Sequence, residues 1–174
     1  MYNLRGGACA EFKEECKPQG VMEVFAVPSH LDPRDPKNWD GHLICKKNLV
    51  VDVGRQVIAR IMAGEIPADP VTHFAIGTEG YNGTADPNFP PNDPLGTDTD
   101  LYTPVFTKAI ETIEHPNIAA NTYIGYITTT EQNGVLISEW ALKTSTGVLF
   151  SRITTKPYPK SDFFSFVIRW TIQH

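Results

Sequence analysis

No stretch of this sequence approaches the ~20 consecutive apolar residues that a membrane-spanning helix requires. The first residues, Met1-Tyr2-Asn3-Leu4-Arg5-Gly6-Gly7, lack the apolar stretch of a secretion signal, which points to a protein made and assembled in the cytosol. Cysteine is scarce. Cys9, Cys16 and Cys45 form an odd set, which argues against a disulfide framework and leaves Cys9–Cys16 as a bridge only if the protein ends up outside cells. Excess positive charge is lacking too: 15 Lys and Arg against 20 Asp and Glu give a net charge of −5, and the basic residues are scattered apart from Lys46-Lys47. That balance argues against general nucleic-acid binding. The zincin H-E-x-x-H, the hydrolase G-x-S-x-G, a Walker loop and a dinucleotide fingerprint are all missing, and the five histidines are dispersed. No repeat recurs at a period of 20 to 50 residues. The sequence therefore supports no enzyme and calls for no cofactor.

What is present starts with one amphipathic stretch. Val50, Val53, Val57, Ile58, Ile61 and Met62 fall at helical spacing and predict a helix over 49–63 with those residues on one face. Asn48 or Asp52 could cap its start, and Gly64 suits the position just past its end. Pro67 and Pro70 forbid continuation.

The rest reads as β-structure. Val21 to Val27 could form one strand, and His73 to Ile76 another. From Leu101 onward the pattern is that of a meander or Greek key. Val105 to Ile113 alternates, and its β-branched content favours a strand over a helix. Thr122 to Thr130 and Val135 to Leu142 flank Gln132-Asn133-Gly134, a hairpin signal because Asn-Gly accepts positive φ cheaply. Thr144 to Gly147 turns into a strand over 148–154. In the last strand Phe164, Phe166, Ile168, Trp170 and Ile172 share one face, while Ser165, Val167, Arg169 and Thr171 share the other. The fold class that follows is mainly β: an antiparallel β-sandwich, jelly-roll-like, of six to eight strands buried on one side, with one helix. Residues 1–45 read as an extended N-terminal arm and 46–174 as the sandwich domain. Within the arm, the proline-rich connector 28–41 either folds over the domain's own surface or orders against a neighbouring subunit.

Three constellations carry possible chemistry. Cys9, Cys16, His42 and Cys45 have the ligand types of a zinc site, but the C-x₆-C spacing is too long for a paired knuckle, so unpaired thiols are the plainer reading. Glu79, Asp86, Asp93, Asp98 and Asp100 crowd the loop 78–100, where they could hold Ca²⁺ or simply satisfy turn backbone; no calcium-loop pattern is present. Trp39, Trp140 and Trp170, with Tyr81 and Phe89, could make a sugar-stacking surface, although the register of Trp170 points to the core. Glu139 reads as an ion-pair partner of Arg152 or Arg169 on neighbouring strands rather than as a catalytic group.

Several segments together resemble small virion proteins of tailed bacteriophages. They are Lys47-Asn48-Leu49-Val50-Val51-Asp52-x-Gly54, His73-Phe74-Ala75-Ile76-Gly77-Thr78, Asp98-Thr99-x-Leu101, Asn133-Gly134-x-x-Ile137-x-Glu139-Trp140-Ala141-Leu142, Leu149-Phe150-Ser151-Arg152 and Ile168-x-Trp170-Thr171-Ile172. The resemblance spans about 46 to 172. It departs at Thr103 to Lys108, where the family has an acidic residue and an arginine, at Trp140, where a small residue is common, and in the longer loop 79–97. It implies a non-enzymatic structural protein of the tail, neck, collar, baseplate or tail fibre, located in the virion and assembled in the host cytoplasm. The implied partners are other copies of itself and neighbouring tail or neck proteins, with no nucleic acid and no membrane. The alternatives are a tail module binding host-surface glycan and a capsid decoration protein.

Overall fold

A computed structural model of the chain describes residues 19–47, 50–80 and 91–173. They form two antiparallel sheets packed face to face, the β-sandwich expected from the alternating strands. In chain order the elements are β1 (Gln19–Pro28), a 3-10 turn (Pro36–Asn38), β2 (Leu43–Lys47), α1 (Asp52–Met62), β3 (Val71–Gly77), β4 (Pro104–Ala109), β5 (Thr112–Asn117), β6 (Ala120–Ile127), β7 (Leu136–Thr144), β8 (Leu149–Pro159) and β9 (Phe164–Gln173). One sheet runs β2-β1-β9-β6-β5 and the other β4-β3-β7-β8. Consecutive strands pair as four hairpins dealt alternately to the two sheets, and β9 then enters the first sheet between β1 and β6.

The core lies between the sheets. Met22, Val24, Ile76, Tyr123, Ile127, Trp140, Ile153, Phe166, Ile168, Trp170 and Ile172 meet there. Phe74 fits only because the facing residue is Gly125: a Cβ at that position would sit 2.3 Å from the Phe74 ring. The central strands are covered on their outer faces as well, so the expectation of sheets buried on one side is corrected there. The connector after β1 folds back over the first sheet. Trp39 stacks on Phe25 at 5.5 Å between ring centroids, anchored by its indole N–H on the Pro33 carbonyl at 2.8 Å. Ile124, Tyr126 and Val167 complete that layer. Of the two readings of the connector, folding over the domain's own surface is the one observed.

The arm therefore does not extend to residue 45. β1 pairs with β9 over ten residues, from Gln19 opposite Gln173 to Pro28 opposite Phe164. Of the prolines that made this region look unstructured, Pro28 is the last residue of the strand, and Pro33 and Pro36 follow it.

Four other details differ from the sequence expectation. The helix begins at Asp52, with Val51 in the capping position and no side-chain cap; Asn48 lies outside the described residues. Gly64 does sit just past the end with φ +71, donating to the Ile61 carbonyl. Met62, however, is 83% exposed, because the helix contacts β8 through Gly54 and Val57. Gly54 is essential to that contact, since a Cβ would stand 2.2 Å from the Phe150 carbonyl oxygen. The alternating run 105–113 is two strands in different sheets, β4 and β5, with the chain crossing at Ile110-Glu111. Gln132-Asn133-Gly134 is likewise a crossing and not a hairpin. The type I′ hairpin turn that Asn-Gly favours needs positive φ at both central residues. Here positive φ falls at Gln132 (φ 56) and Gly134 (φ 83), and the chain swings from β6 in one sheet to β7 in the other.

Removing β1 exposes the partners of Met22, Val24 and Val27, three side chains worth roughly 1.5–3 kcal/mol each. That loss is comparable with the ~5–15 kcal/mol margin of a whole domain. Deleting residues 1–40, and β1 with them, should abolish cooperative unfolding in urea, as followed by circular dichroism. Gly125→Ala should lower stability by about 1–3 kcal/mol in urea titration, through overpacking against Phe74.

Candidate functional site

The densest polar arrangement lies on the outer face of the four-stranded sheet. The bulge in β7 between Ile137 and Glu139 leaves Trp140 and Leu142 facing the core and turns Glu139 outward. Arg152 of β8 stands beside it. The Arg152 guanidinium donates to Glu139 Oε1 at 2.6 Å, with 1% and 0% of the two side chains exposed. Asp98 closes a second ion pair on the same guanidinium. The Tyr102 ring lies over it at 4.2 Å. Burial acts to lower the Arg152 pKa; the hydrogen bond and charge of Glu139 and the charge of Asp98 outweigh it, so the group is held above its ordinary value.

These contacts fasten a chain segment to the sheet. Glu139 Oε1 accepts from the Tyr102 amide at 3.0 Å and Oε2 from the Thr103 amide at 3.1 Å. Asp100 pairs with Lys143 at 2.7 Å, and Leu101 packs with Ala75, Ala141 and Leu149. The Gly80 amide donates to Ser138 Oγ at 2.9 Å. Gly77 and Gly80 permit this approach: a Cβ would fall 2.5 Å from Glu139 Oε2 and 2.3 Å from the Ser138 carbonyl oxygen respectively. The arrangement is a clamp. Glu139 accepts three hydrogen bonds, two on Oε1 and one on Oε2, out of about four lone-pair positions, and the buried Arg152 Nε has no hydrogen-bond partner.

The other candidates disperse. Cys9 and Cys16 lie outside the described residues, His42 is half-buried just before β2, and the backbone of Cys45 pairs opposite Val24. Among the described residues no group of three His, Cys, Asp or Glu is placed to hold a metal ion. In the acidic loop Asp86 lies outside the described residues, while Glu79 accepts from Thr103 Oγ1 at 2.8 Å and Asp98 and Asp100 have the partners named above. Tyr81 and Phe89 also lie outside. Trp39, Trp140 and Trp170 are all buried, so the three tryptophans form no sugar-stacking surface. Glu139 takes Arg152 and not Arg169. Arg169 belongs to the other sheet and binds Glu23, with Nε at 2.8 Å.

An apolar cavity of about 350 Å³ lies between α1, the segment 66–69 and the turn at 146–148. Its buried acid, Asp69, accepts from Ser145 Oγ and Thr146 Oγ1, each at 2.7 Å. Burial acts to raise the Asp69 pKa, but the hydrogen bonds from Thr146, Ser145 and Thr144 prevail and hold it below the ordinary carboxylate range. Arg60 pairs with Glu65 at 3.4 Å. No family model matches this chain, and no curated protein or solved structure matches it.

Removing one member of a buried ion pair leaves the other charge uncompensated, at a cost of about 3–5 kcal/mol. Arg152→Met, which leaves both Glu139 and Asp98 without their cation, should therefore lose stability in that range, as read from denaturant midpoints. Asp69, with its folded pKa depressed, adds stability that is complete above its unfolded value of about 3.9 and is lost as pH falls through the folded value. Asp69→Asn should flatten the acid limb of the stability-versus-pH curve.

Proposed function

We propose that this chain is a non-enzymatic structural subunit that works by presenting fixed surfaces to copies of itself and to neighbouring components. On the resemblance to small virion proteins of tailed bacteriophages, its place is the tail, neck or collar, or baseplate, as a symmetric oligomer or a fibre adaptor. The observation that carries the reading is the rim formed by residues 104–118. This single segment supplies one outer strand of each sheet, β4 in one and β5 in the other. All six residues of β5 are exposed. Val105, Ile113 and the fully exposed Ile118 project there, beside Glu111 and Glu114. Unpaired strand edges with apolar side chains are where a second chain adds. Pro116 within β5 lacks an amide donor, which blunts indiscriminate edge pairing and favours a partner of defined shape. The clamp at Glu139 and Arg152 supports the same reading, since a subunit that transmits force needs its surface segments fixed to the sheets.

Light scattering on the purified protein over a tenfold concentration range tests this reading. A defined oligomer that Ile113→Lys or Ile118→Asp converts to monomer, with circular dichroism unchanged, is the expected result. An oligomer indifferent to both variants, or a monomer that also fails to bind any purified tail or neck component, would overturn it.

A further inference from the structure

Lys160 lies in the connection between β8 and β9, and its side chain is 1% exposed. Among the described residues no carboxylate stands within ion-pair distance of it. Its ammonium nitrogen donates to the Ser161 carbonyl at 2.6 Å and to Asn133 Oδ1 at 3.1 Å, with the Phe164 ring 5.5 Å away. A buried cation without a counter-ion is costly, and desolvation drives such a lysine toward the neutral, nucleophilic amine. Burial does pull the Lys160 pKa below its ordinary range, against the weaker opposing charges of Asp162 and Glu131.

The facing carboxamide is held in place. Asn133 Nδ2 donates to the Thr129 carbonyl at 2.8 Å, which fixes the plane of the amide and leaves Oδ1 toward Lys160. Two backbone bonds hold the two connections together: Gly134 N–H to the Lys160 carbonyl and Lys160 N–H to the Val135 carbonyl, each 2.9 Å. Nucleophile and electrophile are thus brought together by main chain before any reaction, with the Lys160 amine buried beneath an exposed Asn133.

We propose that Lys160 and Asn133 join in an intramolecular amide bond. The Lys160 amine attacks Asn133 Cγ, the Cγ–Nζ bond forms, the Cγ–Nδ2 bond breaks, and the proton lost by the lysine leaves with the departing nitrogen. Lysine ammonium plus carboxamide becomes a secondary amide plus ammonium ion, so protons and charge balance with no oxidant, metal or second substrate. The product removes the buried charge. Its remaining N–H keeps the donor relation to the Ser161 carbonyl, which a secondary amide needs when buried. The bond would join the β6–β7 crossing to the β8–β9 crossing, linking the two sheets covalently at one end.

The intact mass of the purified full chain decides the matter, because the reaction removes one ammonia, about 17 Da. The expected result is that loss, together with a branched peptide linking Asn133 to Lys160 after proteolysis and the full sequence mass in Asn133→Ala. The full sequence mass in the unmodified protein overturns the proposal. So does a loss that persists in Lys160→Met and is cleaved by hydroxylamine, which would be a succinimide at Asn133-Gly134. Peptide mapping of the unmodified protein gives the same answer if either variant fails to fold.

Discussion

A guanidinium with almost no solvent around it cannot remain charged without close anions, and Arg152 meets that demand with two. Glu139 comes from the neighbouring strand, so it is supplied by the sheet itself. Asp98 comes from the long connection after β3, so that connection must come down onto the sheet. Once Asp98 is seated, Asp100, Leu101, Tyr102 and Thr103 follow in order along the outward residues of β7. The amide of Asp52 then donates to the Gly96 carbonyl at 2.8 Å, tying the start of α1 to the same segment. One buried charge thereby sets the path of the loop, the entry of the helix and the cover of the sheet's central strands.

The first sheet is covered by different means. There the cover is apolar and aromatic, with Trp39 and Phe25 stacked and the Arg169 guanidinium within 6 Å of both rings. The two outer layers thus illustrate two solutions to one problem. A strand buried on both faces needs something on its back, and either a hydrophobic flap or a compensated ionic clamp serves.

The legible parts of the sequence were those with a period. β9 reads directly from Phe164 to Ile172 because one residue in two must enter the core, and α1 reads from Val53, Val57 and Gly64 because its buried stripe and its left-handed stop are local. The sorting of strands into sheets was not legible. Val105 to Ile113 alternates without interruption although the chain changes sheets at Ile110, and the turn residues Asn133-Gly134 look the same whether the next strand is a neighbour or lies across the core. The Glu139–Arg152 pair could be anticipated from adjacent strands, whereas Asp98 and Tyr102 could not, since contact between a loop and a sheet leaves no spacing to detect. Lys160 follows Pro159 in turn-like sequence and reads as a surface lysine. Its burial is a property of two crossings meeting in space.

The pairing of Gln19 with Gln173 has a topological consequence. Because the first and last strands of the sandwich are antiparallel neighbours, the chain enters and leaves from adjoining points. A short peptide joining those points would preserve every strand pairing, and new ends could open at the exposed tip around Ile118, the sharp turn between β5 and β6. The strand pairing is in that sense closed upon itself, and where it opens is a choice that the packing does not impose. Anything joined directly to Gln19 and to Gln173 is delivered to one corner of the molecule, so two such attachments would work as a single bivalent handle.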